Sequence, residues 1–227
     1  MGIYKLVAEL TVIILGVLIA LGVDAWWERI QNEQLELQVL SSLQTDLAAV
    51  EGLVNALAKR DLRIIERANQ LTNTEPMPFH DQRTGDLAKL FATVPRDLRL
   101  RTYDELHNTG NLQVISNRDL RLLLTDFDAL ARTLAGYDKQ MEVQWNETAR
   151  PILYRTYSFD QIQLEGESRP RRQAPIEASE LDLFELRNAI IDRGNFAAVH
   201  LHITQDLSEL LKQLQGQTTA ALEAVQI

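Results

Sequence analysis

Hydrophobic positions along this chain fall into two regimes. Residues 6–23 read LVAELTVIILGVLIALGV, an apolar run whose one charge is Glu9, and Asp24 and the Trp26-Trp27 pair follow directly. The uninterrupted part, residues 10–23, makes about 21 Å of helix, short of the ~30 Å hydrocarbon core of a bilayer. Extending it to residues 6–27 gives about 33 Å, with Tyr4 at one interface and the tryptophans at the other. The pattern predicts a transmembrane helix, residues 1–27 being the anchor, with at least one of Glu9 and Asp24 at the membrane boundary. A secretory signal peptide competes, because Val23-Asp24-Ala25 carries small residues where a signal peptidase reads. Glu9 inside the apolar run and the acid beside the would-be cut weigh against it.

Beyond the tryptophans the period becomes helical and amphipathic. Leu40, Leu43, Leu47, Val50, Val54 and Leu57 are spaced alternately three and four apart, the seam of a coiled coil. Asp61 breaks that seam before Ile64, Ala68 and Leu71 resume it. One long helix over residues 28–71, continuous with the membrane span or following it, is expected. With so few clean heptads, an intramolecular bundle accounts for the pattern better than a free coiled coil. Pro76 and Pro78 then enforce a connection, and a short helix over residues 86–93 stops at Pro95.

Three pairs have the Ser/Thr-x-x-acid spacing of a capping box: Thr102/Glu105, Ser116/Asp119 and Ser179/Asp182. They predict a brief helix over residues 103–108, closed by Gly110 in a left-handed cap, then a second long helix, then a third. The second has Leu120, Leu123, Phe127, Leu130, Leu134, Tyr137, Met141 and Trp145 on its inner face and is expected to kink at Pro151. The third should end near Arg193-Gly194. A last helix over residues 195–225 follows, with Phe196, Val199, Ile203, Leu207, Leu210, Leu214, Ala221 and Val225 inward. The fold class is all-α: an N-terminal transmembrane helix leading into a long-helix bundle of up-and-down type with additional short helices, residues 28–227 forming the extramembrane domain.

Composition narrows what such a bundle does. Ten Gly and six Pro among 227 residues suit helices rather than strands. A net charge of −9 argues against nucleic acid as a partner, since neutralising phosphates needs a field of Lys and Arg. No cysteine is present, which removes disulfides, thiolate metal sites and cysteine nucleophiles. His200 and His202, two apart on a helix, project about 200° from one another and cannot grip one metal; no histidine has an evident partner. Neither a phosphate-binding glycine loop nor a nucleophile elbow occurs. No cofactor and no enzymatic activity are expected.

Candidate contact residues are of two kinds. On a helical wheel Glu9, Gly16, Ala20, Asp24 and Trp27 lie within about 80° of one another. Gly16 and Ala20 form a small-x-x-x-small pair, which lets two helices approach closely inside lipid. The stripe predicts a contact with a second copy or another membrane protein; the plain alternative is that both acids snorkel to the interfaces. Arg169, Arg171 and Arg172, in a proline-bearing polar stretch, form a possible basic contact loop.

Two segments, ELTVIILGVLIALGVDAWWE at residues 9–28 and YDELHNTGNLQVISNRDLR at residues 103–121, resemble an uncharacterised family of bacterial single-pass membrane proteins with a helical extramembrane domain. The resemblance implies an inner-membrane protein and supplies no activity. It draws attention to Tyr103, Glu105, Gly110, Asn111, Leu112 and Asn117 as a compact turn between a short and a long helix. The expected role is a membrane-anchored scaffold or assembly component, its partners being the bilayer and either a homo-oligomer or another membrane protein. A ligand-sensing extracytoplasmic bundle acting through a partner is the alternative. Lys5 and the terminal amine against Arg29 lean towards a cytoplasmic N-terminus and a periplasmic domain.

Overall fold

The computed structural model describes residues 2–73, 90–91, 97–156 and 180–225. Side-chain surroundings are described within these from Ile14 onward, except at Leu153, Tyr154 and Thr156. The described residues are all-α, without a strand. In chain order the elements are α1 (Gly2–Thr72), α2 (Arg101–Thr109), a 3-10 turn (Leu112–Val114), α3 (Arg118–Gln144), a π turn (Trp145–Ala149), α4 (Arg150–Thr156) and α5 (Glu180–Val225).

The first helix is continuous through the junction between the apolar run and the heptad region. Its buried positions are Glu36, Leu40, Leu43, Leu47, Val50, Val54, Leu57, Asp61, Ile64, Ala68 and Leu71. They alternate four and three apart without interruption, so Asp61 occupies the seam instead of breaking it. The same spacing runs along α5 as Leu186, Ile190, Arg193, Ala197, His200, Thr204, Leu207, Leu211, Leu214, Thr218 and Ala221. This corrects the expected face of the last helix. Val199 is largely exposed, and Phe196, Ile203 and Leu210 are only half-buried. Following the largest apolar residues missed a seam that carries four polar ones.

Two compact units make up the chain: residues 1–47, 100–122 and 214–227, and residues 48–99 and 123–213. In the first, Leu40, Leu43, Leu47, Tyr103, Leu106, Ile115, Leu120 and Leu214 are buried. Its helix starts differ from the capping boxes expected. Helix α2 begins at Arg101, with Leu100 before it supplying no side-chain cap. The orphan N–H of Thr102 is satisfied from α1 instead, by Asp46 Oδ2 at 2.7 Å. At α3 the capping residue is Asn117, whose Oδ1 accepts the Leu120 N–H at 3.1 Å. Gly110 ends α2 at φ 74°, as expected. The Asn111 N–H reaches Leu106 O at 2.8 Å and the Gly110 N–H reaches His107 O at 3.2 Å, a Schellman closure.

In the second unit, Arg187 Nη2 donates to Thr72 O at 3.0 Å while Asp61 meets His200, so α1 and α5 are antiparallel. Gln144 bonds Asp192 and Asp138 faces His200, which makes α3 antiparallel to α5 as well. The two earlier helices are therefore parallel here, unlike successive helices of an up-and-down bundle, and the long connection between them makes that possible. Ile64, Ala68, Leu71, Leu90, Phe91, Ala149, Ile152, Leu186, Ala189, Ile190 and Ala197 form one buried cluster, with Phe91 stacked on Trp145 at 5.4 Å.

Two sequence irregularities are absorbed inside helices. Pro151 lacks an N–H and its ring conflicts with the carbonyl four residues earlier. The helix takes a π turn just before Pro151: the Arg150 N–H reaches back five residues to Trp145 O, and the helix continues into α4. Gly194 does not end a helix, because α5 runs through it from Glu180. A Cβ at Gly194 would lie 3.0 Å from Ala68 Cβ, so the glycine permits close approach to α1. On α3, Leu124 is buried, while Leu123, Leu130, Tyr137 and Trp145 are only partly covered.

Candidate functional site

Residues 14–29 of α1 are exposed on every face. Ile14, Leu15, Val17, Leu18, Ile19, Leu21, Val23, Trp26 and Trp27 are each between 51% and 62% exposed. Of the predicted contact stripe, Gly16, Ala20, Asp24 and Trp27 lie here and no described residue covers them; a Cβ at Gly16 would meet nothing described within 4 Å. Glu9 belongs to α1, and its side chain lies outside the described residues. Among the described residues no helix is long and apolar enough to cross a membrane. The side chains of residues 6–13 in the apolar run lie outside those described.

The turn motif is brought together as a connection. Tyr103 is buried and stacks on His107 at 5.7 Å, Glu105 is exposed, and Gly110 and Asn111 make the helix closure described above. Leu112 opens the 3-10 turn, and Asn117 Nδ2 donates to Gln217 Oε1 at 3.3 Å. These residues connect and cap helices. The basic loop, Arg169, Arg171 and Arg172, lies outside the described residues.

The most distinctive chemistry sits in the second unit, at seam positions where apolar side chains are the rule. His200 on α5 is fully buried. Its Nδ1 lies 2.6 Å from Asp61 Oδ2 on α1, and its Nε2 lies 3.4 Å from Asp138 Oδ1 on α3. Arg60 Nη2 stands 3.1 Å from Asp61 Oδ1 and 3.7 Å from Asp138 Oδ1. Two turns from His200 towards the start of α5, the buried Arg193 donates from Nε to Leu90 O at 3.0 Å and from Nη1 to Met141 Sδ at 2.7 Å. Thr204 Oγ1 donates to His200 O at 2.8 Å. Asp61 is completely shielded, whereas the side chains of Asp138 and Arg60 keep 18% and 14% exposure.

Burial disfavours charge on His200, but the close contact with the Asp138 carboxylate, the hydrogen bond to Asp61 and the negative charges of both outweigh it, and the imidazole pKa is raised above 6.5. Burial and the neighbouring Arg60 lower the Arg193 pKa to about 10, against the opposing pull of Asp61 and Asp138. The guanidinium still carries its charge at neutral pH. Two guanidiniums, two carboxylates and an imidazole therefore act on one another within two turns of a buried seam contributed by three helices.

The expectation that no histidine has a partner is overturned here. Sequence reasoning tested His200 against His202, its neighbour in the chain, and the partners lie 62 and 139 residues away. A signal was nonetheless available, since Asp61, Asp138, Arg193 and His200 all fall at three-and-four positions between apolar seam residues. Among the described residues no group of His, Cys, Asp and Glu side chains has the arrangement to hold a metal ion. Comparison with known protein families, with characterised proteins and with solved structures yields no match for this chain.

Proposed function

We propose that this chain is a membrane-anchored helical scaffold or assembly component, self-associating or docking to another membrane protein through its first helix. The observation that carries the reading is the exposure of nine large apolar side chains between Ile14 and Trp27. Removing a side chain of this size from water is worth about 1.5–3 kcal/mol when complete, so a segment of this composition requires a cover. Consecutive residues turn about 100° around a helix, and apolar side chains here occur on all faces. A protein groove covers one face, whereas lipid surrounds the helix. The tryptophan pair suits the membrane interface where the apolar run meets the polar heptads.

In this reading residues 1–27 span the bacterial inner membrane with the N-terminus cytoplasmic, and residues 28–227 form a periplasmic bundle. Continuity of α1 from the apolar run into the bundle joins any contact made in the membrane to the domain through unbroken helix. Gly16 and Ala20 supply the close-approach surface, with Glu9 and Asp24 on the same stripe.

The test is fractionation of cells expressing the full chain, followed by crosslinking in mild detergent. The chain should resist alkaline extraction from membranes, and Gly16→Leu should lower its crosslinked mass. Recovery of the intact chain in the soluble fraction would overturn the anchor; an unchanged mass in Gly16→Leu would overturn the contact stripe.

One observation favours the ligand-sensing alternative. Beside the π turn a groove of about 500 Å³ is lined by Glu147, Thr148, Pro151, Arg155, Glu185 and Asp192 among others, and π turns recur at functional sites. Its acidic lining suits a cationic ligand, whose binding would shift the fluorescence of nearby Trp145.

A further inference from the structure

The ionic layer around His200 poses a protonation problem that its geometry answers. An Nδ1 to carboxylate distance of 2.6 Å requires one proton between the two atoms, and with Asp61 as a carboxylate, which accepts only, Nδ1 carries it. Nε2 is buried and faces Asp138 Oδ1 at 3.4 Å, and neither atom has a hydrogen-bond partner. A neutral ring would set the Nε2 lone pair against the carboxylate at 3.4 Å, too close for a water to come between, two acceptors facing each other. A proton on Nε2 turns that repulsion into attraction.

We propose that His200 is a buried proton-binding site, an imidazolium that ties α5 to Asp61 of α1 and to Asp138 of α3, and that losing its Nε2 proton loosens α3 from α5. This proposal is independent of the membrane reading, since every group it uses lies in the second unit. The charged groups around His200 are Asp61 with its neighbour Arg60 from α1 and Asp138 from α3, while Arg193, two turns away on α5, acts by charge on the same two carboxylates. With the imidazole protonated the layer holds three cations and two carboxylates. With it neutral the charges balance, and Asp138 loses its partner on α5.

Proton exchange has a route. Asp138 is the carboxylate of the pair whose side chain keeps some exposure, although the Oδ1 that faces the ring is buried, so the Nε2–H bond breaks towards Oδ1 and the proton reaches water as the carboxyl turns. Asp61 has no such contact and stays bonded to Nδ1–H, so the α1–α5 link survives. The raised imidazole pKa places the transition above the ordinary histidine range. Protonation favours the closed layer and is fully in place below about pH 6.5; closure weakens as pH rises through the folded-state value.

Nuclear magnetic resonance of the full chain with ¹⁵N-labelled histidine, in detergent, reads the protonation directly, and amide hydrogen exchange reads the helix contact. At about pH 6 both His200 nitrogens should be protonated, with a titration midpoint above the ordinary histidine value of about 6.5. Protection factors around Met141 should fall about tenfold for each unit by which that midpoint exceeds the unfolded value. Asp138→Asn should lower the midpoint and flatten the response, because its carboxamide can donate to a neutral Nε2. A neutral His200 ring at about pH 6, wild-type protection that is flat up to about pH 9, or an unchanged midpoint in Asp138→Asn would each overturn the proposal. The wild-type titration decides the matter even if Asp138→Asn does not fold.

Discussion

Ser116 delivers both its backbone N–H and its hydroxyl to one carboxylate oxygen of Glu36, each at 2.7 Å, across 80 residues of sequence. Glu36 is the first buried seam position of α1, and this double bond fixes the approach to α3 there. The seam thus opens on a carboxylate that is almost wholly shielded yet hydrogen-bonded.

Removing that carboxylate leaves the Ser116 N–H without its acceptor. Glu36→Ala should destabilise the bundle by about 2–3 kcal/mol, hydrogen bonds to charged groups being the stronger kind. Ser116→Ala keeps the N–H bond and should cost about 1 kcal/mol. Urea unfolding of both variants, followed by circular dichroism, checks the ordering.

The contact between Gly194 and Ala68 makes a sharper prediction, because glycine in a helix interior is ordinarily improved by alanine. Gly194→Ala gains about 1 kcal/mol of helix propensity, but its Cβ meets Ala68 Cβ at 3.0 Å and overpacking costs about 1–3 kcal/mol. The net effect should be destabilising, and Ala68→Gly in the same chain should restore much of the loss. Gly136→Ala, where the new methyl would meet nothing, should stabilise by about 0.5–1 kcal/mol. Equal effects at positions 136 and 194 would contradict the close approach.

Asp61 is the fully shielded member of the ionic layer. Asp61→Leu strands a buried imidazolium and one pairing of Arg60, and should cost about 3–5 kcal/mol. Adding His200→Leu removes the stranded partner and should recover a large part of that, since well-packed apolar pairs match buried ion pairs in stability. A double-mutant cycle in urea measures the coupling.

The pH dependence of stability follows from the raised His200 pKa with a definite sign. A group that binds its proton more tightly when folded contributes stability below its unfolded value of about 6.5 and loses it as pH rises through the folded value. The midpoint of thermal unfolding should therefore fall on the alkaline side of about pH 6.5. His200→Gln should remove this part of the slope.

Much of the fold was legible in the chain. The run Leu40 to Leu57 is read correctly because each position is apolar and the spacing alternates three and four, and Gly110 because only a left-handed closure explains a glycine after so short a helix. Reading by side-chain size failed where the seam turned polar. Asp61, His200, Thr204 and Thr218 hold seam positions that hydropathy alone assigns to the surface. The capping boxes erred for a related reason. Asp46 and Glu36, remote in sequence, supply acceptors that local spacing cannot reveal, and they displace Thr102 and Ser116 from the capping roles their neighbours suggest. The ionic layer is a purely tertiary feature, assembled from helices that no local pattern aligns.

The account rests most heavily on lipid as the cover of the first helix, and the depth of Val17 tests that most directly. A single tryptophan, Val17→Trp with Trp26, Trp27 and Trp145 changed to Phe, can be reconstituted in vesicles carrying nitroxide labels at graded depths. The account predicts strongest quenching by labels near the bilayer centre and shielding from aqueous iodide. Iodide quenching with no response to any lipid label would contradict it.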